Sequence, residues 1–126
     1  MRAVDTNILV RLITRDDPKQ LADAEAYITR GAWVSTVVLA ETTWVLGAVY
    51  ELGQNDIATI VEMLLSHEHL SLQDTEVVGA ALELFRGAAS PGFTDCLVLE
   101  IARKAGHLPL GTFDKRLGRA DGAERP

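Results

Sequence analysis

The sequence predicts an α/β domain built around a mainly parallel sheet, and three observations carry that expectation. Short apolar runs alternate along the chain with longer stretches in which apolar residues recur at helical spacing. Cap residues, prolines and glycines fall at the junctions between them. The composition suits a packed globule, with 48% of 126 residues apolar and 24% charged. Aromatic residues are few, so Leu, Val, Ile and Ala must fill the core. The length allows one domain over residues 1–126, with a polar tail over 118–126 that is expected to be loosely held.

The elements follow in order. Ala3-Val4 is a short strand ending at Asp5, and Ile8, Leu9, Leu12 and Ile13 then mark a helix capped by Asp5 or Thr6. Asp16-Asp17-Pro18 breaks that helix and opens a second, with Leu21, Ala24 and Ile28 as its apolar face and Gly31 as its stop. Trp33-Val34 is the next strand. Ser35-Thr36 caps a long helix expected to reach about Leu52, where Gly53 halts it. Asn55 or Asp56 caps a helix through Ile57, Val61 and Leu64, and Leu70-Ser71-Leu72 is a third strand. Asp74 or Thr75 caps a helix to Arg86, Gly87 to Gly92 is the main loop, and Phe93 to Lys104 is helical with Gly106 as its stop. Leu108-Pro109-Leu110 with Thr112-Phe113 reads as a strand, and a short helix follows Asp114. A fifth strand near Ala123-Glu124 has little apolar support. The sheet is therefore expected to hold four to five short strands, with functional groups gathered at their carboxyl ends.

A net charge of −6 excludes a basic protein that coats nucleic acid, although a bound cation can neutralise clustered acids. The longest uncharged run, Gly31 to Ala40, is too short to cross a bilayer. A carboxylate at the fifth position argues against a secretory leader, and the single cysteine cannot close an internal disulfide. A cytoplasmic location without membrane contact is expected.

Four carboxylates stand apart from ordinary surface charge. Asp5 and Asp114 lie at strand exits, where each also suits a helix N-cap. Glu41 has Val37, Val38, Trp44 and Val45 three and four residues away, an apolar stripe that is expected to draw it toward the core, where it needs compensation. Asp95 lies in a first helical turn beside Val98 and Leu99, where the helix dipole alone also favours it. Gathered together, these acids carry about −4 of charge and call for a counter-charge. Hard oxygen ligands in that number suit Mg²⁺ or Mn²⁺. The chemistry natural to such a site is hydrolysis of a phosphodiester by activated water. Arg15, Lys19, Arg86, Lys104, Lys115, Arg116 and Arg119 are then available for flanking phosphates, though each also reads as ordinary surface charge.

Other residues carry less. Cys96 is expected to be a small buried side chain with no histidine beside it. His67, His69 and His107 lack the partners a zinc site needs and suit helix ends. Trp33 and Trp44 read as core or dimer packing, and Tyr27, Ile57, Val61 and Leu64 suit either an interior or an oligomer face.

The segments Val4-Asp5-Thr6-Asn7, Ser35 to Glu41, Phe93-Thr94-Asp95-Cys96-Leu97 and Thr112-Phe113-Asp114 together resemble the PIN-domain family, and within it the VapC-type toxins of toxin–antitoxin modules. The resemblance spans nearly the whole chain. It implies a three-layer sandwich and a Mg²⁺- or Mn²⁺-dependent endoribonuclease acting on a tRNA, ribosomal RNA or messenger RNA, with products bearing 5′-phosphate and 3′-hydroxyl ends. By motif position Asp5, Glu41 and Asp95 correspond to the central metal-binding acids and Asp114 to a more variable fourth, with Thr6, Asn7 and Thr112 in support. Asp5 and Asp95 would hold the main ion, while Glu41 and Asp114 share it, bind its waters or hold a second. A homodimer and a cognate VapB-type antitoxin are also implied. Thr94 departs from the usual alanine of the Phe-Ala-Asp motif, and the C-terminus lacks the apolar residues of a firm last strand. The rival reading is a catalytically silent PIN-like module that binds an antitoxin or RNA. An aspartyl-nucleophile phosphatase is a distant third, because Asn7 stands where a second acid is needed.

Overall fold

Each strand of the chain is only two or three residues long, and the β-strand exits at Ala3 and Val34 lead within two residues into the helix caps Asp5 and Ser35. The computed structural model describes residues Met1–Pro126. In chain order it contains β1 (Arg2–Ala3), α1 (Thr6–Thr14), α2 (Pro18–Ile28), β2 (Ala32–Val34), α3 (Thr36–Ala48) and α4 (Gln54–Ser66). There follow β3 (Leu70–Leu72), α5 (Thr75–Arg86), α6 (Phe93–Ala105), β4 (Leu110–Gly111), α7 (Lys115–Gly118) and β5 (Ala123–Glu124). The α/β class stands. The chain falls into two compact units, Met1–Asp74 and Thr75–Pro126, and no helix is long and apolar enough to cross a membrane.

In the first unit β1, β2 and β3 form a parallel sheet in that order, with Ala3 opposite Trp33 and Val34 opposite Leu72. Parallel pairing demands a crossover between strands, which α1 and α2 supply before β2, and α3 and α4 before β3. β2 and β3 alternate as a sheet with one covered face should, burying Ala32, Val34, Leu70 and Leu72 while Trp33 and Ser71 face out. Leu9, Leu39, Leu46 and Val61 are fully buried around the sheet; truncating such a leucine to alanine costs about 2–5 kcal/mol. Ile57, Val61 and Leu64 are therefore interior and not an oligomer face.

Several boundaries differ from expectation, three of them in this unit for local reasons. The first strand ends one residue early because Asp5 must leave the extended ladder to cap α1. α3 stops at Ala48, four residues short of Leu52. Its last turn widens, with Tyr50 N–H reaching back to Val45 C=O and Glu51 turning left-handed at φ 57°. The Tyr50 hydroxyl is meanwhile drawn away to Arg11 and Asp16. α4 begins after Gly53, so Asn55 and Asp56 lie inside it and do not cap it.

In the second unit α5 packs along α6, with Phe85 edge-on to Phe93 at 5.5 Å between ring centres. The late strand is shorter than expected. Pro109 has no N–H to pair, so the ladder starts at Leu110, which donates its N–H to Gly122 C=O at 2.8 Å. It ends with Thr112 N–H on Glu124 C=O, leaving Phe113 77% exposed. β4 and β5 pair in parallel as a separate two-stranded ladder. Five strands thus form, divided three and two, and the polar tail is part of the hydrogen-bonded structure through Glu124.

Candidate functional site

Asp5 sits where β1 gives way to α1. Its backbone is extended and its Oδ1 accepts the Ile8 N–H at 3.2 Å, so it is the helix N-cap, and its other oxygen is left for further partners. The next residue, Thr6, is buried, and its hydroxyl donates a short hydrogen bond to Oε1 of Glu41. That bond ties the start of α1 to α3 and brings the Asp5–Thr6 turn and Glu41 into one arrangement. α3 is itself aimed by two caps: Ser35 Oγ accepts the Val38 N–H at 3.1 Å, and Gln73, just past β3, accepts the Thr36 N–H through Oε1 at 3.0 Å. The exits of β1, β2 and β3 thus all contribute to holding this pair of acids.

Glu41 corrects the expectation of burial. It is exposed, and so are its apolar neighbours Val37 and Trp44, at 77% and 65%. Helical spacing groups residues on one face, but it does not say whether that face turns inward. Glu41 is therefore compensated by water and by Thr6, and not by a core partner. Trp44 likewise is not core packing.

The second unit holds a different pair. Asp95 lies in the first turn of α6, which is capped at Gly92 without a side-chain bond. Asp114 caps α7, its Oδ1 accepting the Leu117 N–H at 2.8 Å, while its own N–H donates to Thr112 Oγ1 at 3.0 Å. Asp95 makes no hydrogen bond with its carboxylate. Partial burial, and then the charge of Asp114, push its carboxyl above the usual aspartate range. Its expected apolar face is only half covered, since Leu99 is buried and Val98 exposed. Beside it Cys96 is buried, and burial with the charges of Asp95 and Glu100 pushes its thiol up to about 12, which fits a packing role and not a nucleophile.

The family model for the PIN domain matches residues 2–123. The chain belongs to the PIN domain family. PIN domains are generally metal-dependent nucleases. No curated protein matches the chain.

Within each unit the donors are of the kind a hard divalent cation takes. Asp5, Glu41, Asp95 and Asp114 offer only oxygen ligands, and the cap bonds of Asp5 and Asp114 each use a single carboxylate oxygen. No three His, Cys, Asp or Glu side chains form a group that could hold a metal ion; the acids come as two pairs. Because Mg²⁺ keeps several waters and is bound through one or two carboxylates, a pair is a sufficient foothold. The histidines do not compete: His67 ends α4 and its Nδ1 accepts the His69 N–H at 3.0 Å.

Three residues with clear structural work escaped the sequence reading. Gln73 gave no signal beyond its place after a strand. Glu100 is buried and paired with Arg103 at 3.2 Å, a spacing of three residues that was open to inspection. Arg11, the lone charge inside α1, is bound by Gln20, Asp16 and Tyr50.

Proposed function

We propose that this PIN domain is a Mg²⁺- or Mn²⁺-dependent endoribonuclease and the toxin of a type II toxin–antitoxin module, with Asp5, Glu41, Asp95 and Asp114 as its metal-binding and catalytic acids. The observation that carries the reading is the placement of Asp95 in the first turn of α6, with no donor on its carboxylate and with Asp114 near enough for its charge to be felt there. A carboxylate with no donor and a second carboxylate facing it is a group that a cation relieves. When bound, the ion supplies Lewis acidity and a water of lowered pKa for hydrolysis of the phosphodiester.

The chain's own groups do the positioning. Thr6 Oγ1 holds Glu41 by donating to Oε1. The cap bonds fix the carboxylates of Asp5 and Asp114 in orientation before any ligand arrives, and Thr112 Oγ1 anchors the backbone of Asp114. Asp95 takes a proton on its carboxylate more readily than an ordinary aspartate does. Asn7, exposed next to Thr6, has an amide able to orient water or a phosphate oxygen. The exposure of Val37 and Trp44 on the helix that carries Glu41 supports a protein partner at this face, here a VapB-type antitoxin or a second copy of the chain. The setting we propose is the cytoplasm, and the substrate is a tRNA, ribosomal RNA or messenger RNA.

Purified protein with Mn²⁺ should cut RNA, lose that activity with a chelator, and leave 5′-phosphate and 3′-hydroxyl ends that sequencing of the fragments identifies. Expression should arrest growth unless the cognate antitoxin is supplied. RNA left intact with both ions, and growth unaffected, would leave a binding module without catalysis.

A further inference from the structure

Between α1 and α2 lies an open groove of about 460 Å³, lined in part by Asp5, Asn7, Arg11, Gln20, Asp23 and Tyr27. Its size falls in the range of small-ligand sites, about 300–1,000 Å³, and its polar groups are arranged in an unusual way. Arg11 is held rigidly: Nε–H donates to Gln20 Oε1 at 2.5 Å, and Nη1 donates to Asp16 at 3.0 Å and to the Tyr50 hydroxyl at 3.4 Å. Nη2 has no protein partner. Because Gln20 spends its oxygen on Arg11, its NH₂ is left to donate elsewhere, and the exposed Asn7 amide adds further donors. The charge of Asp16 is dispersed over donors from Arg11, Thr14 and Tyr50, and Asp23 lies 4.0 Å from Lys19. The groove therefore offers N–H donors from Arg11, Gln20 and Asn7 beside the carboxylates of Asp5 and Asp23.

A second depression is lined by Arg2 and Arg30 and by no carboxylate. Arg2 stacks on the Tyr27 ring at 3.7 Å from its centre and donates to the Tyr27 C=O at 2.9 Å. Fixed donors, an aromatic ring and a basic neighbour are complementary to a nucleotide chain, whose phosphates accept and whose bases stack.

We propose that the α1–α2 groove is the subsite for single-stranded RNA next to the cleaved bond, with Arg11 and Gln20 contacting a phosphate that flanks it. This rests on the ribonuclease reading above. The test is equilibrium binding of a random-sequence single-stranded RNA, with chelator present to prevent cutting, across a range of salt. Arg11→Gln should weaken binding about tenfold at low salt and make the dependence of log affinity on log salt shallower by about 0.7, the loss of one phosphate contact. Gln20→Glu keeps the oxygen that Arg11 needs and suits the third position of a helix, so it preserves the fold; it should weaken binding to a similar extent. Tyr50→Phe, which disturbs the Arg11 cluster from outside the groove, should leave affinity and salt slope unchanged. Wild-type binding by Arg11→Gln and Gln20→Glu, an unchanged salt slope in Arg11→Gln, or an equal loss in Tyr50→Phe would each overturn the proposal, the unchanged slope pointing to a peptide occupant instead. Wild-type protein that never cuts RNA, yet loses salt-dependent binding in Arg11→Gln, would overturn the nuclease reading and support the groove.

Discussion

The two units hold Asp5 and Asp95, each at the start of a helix, by opposite means. In Met1–Asp74 each carboxylate is met by a donor: Asp5 by the Ile8 N–H, Glu41 by the Thr6 hydroxyl. In Thr75–Pro126 Asp95 has no such donor and feels the charge of Asp114. In the second unit ionisation of Asp95 works against the fold. The comparison teaches that an acid can be kept in position either by satisfying it or by building it into a helix start where only an added cation satisfies it. The second device leaves more of the ion's attraction available for binding.

The largest expected effects come from removing one acid of each pair. Asp5→Asn and Asp95→Asn should each cut metal-dependent RNA cleavage at least about a hundredfold, but their stabilities should diverge. Asn caps a helix about as well as Asp, so Asp5→Asn should melt like the parent protein, while Asp95→Asn should melt higher without metal. A lower melting temperature for Asp95→Asn would break the contrast.

Next in size is a matched pair of hydroxyl deletions. Thr6→Val removes the donor to Glu41 and should lower activity about tenfold, as loss of a ligand's supporting partner does. Thr112→Val removes an acceptor for the Asp114 backbone and should cost about 1 kcal/mol of stability, with a smaller drop in rate. Equal rates for the two variants would mean that the Thr6–Glu41 bond has no special role.

The smallest effect is in pH dependence. Asp95 has a raised folded-state pKa, so its unfavourable contribution is absent below the ordinary carboxylate range and grows as pH rises through the raised value. Asp16, in the first unit, is lowered by the Thr14 hydroxyl and then by Tyr50 and Arg11, despite a partial opposing effect of desolvation. Its favourable contribution is present above the ordinary range and is lost as pH falls through the lowered value. Melting temperatures taken from about pH 3 to 7 should therefore lose one slope in Asp95→Asn and the opposite slope in Asp16→Asn.

Much of this was legible in the sequence because it is local. Asp5 and Ser35 cap the helices their positions suggest, Leu70–Leu72 forms the expected strand, and Gly106 stops α6 at φ 84°. What escaped depends on partners far along the chain. The end of α3 comes with a left-handed Glu51, and the Tyr50 hydroxyl beside it bonds Arg11 and Asp16, 34 to 39 residues upstream. The exposure of the Val37–Glu41–Trp44 face depends on what covers α3, which periodicity does not contain. The Thr6–Glu41 bond joins positions whose roles the motifs marked, although their contact could not be read from spacing alone. The family match over residues 2–123 agrees with the fold and coarse activity read from those motifs.

Arg103 gives the C-terminal tail an unexpected weight. From α6 it pairs with buried Glu100 and also donates to the Asp121 C=O at 2.6 Å. Gly122 follows at φ 95°, where a Cβ would lie 3.0 Å from the guanidinium. The segment around Gly122 is thus a clasp closed on the helix whose first turn holds Asp95, and a side chain at its hinge would be strained and would displace the guanidinium. Trimming residues 121–126, or replacing Gly122, would pull at the arginine that pairs with Glu100, so damage there reaches the helix that carries Asp95 without touching that acid.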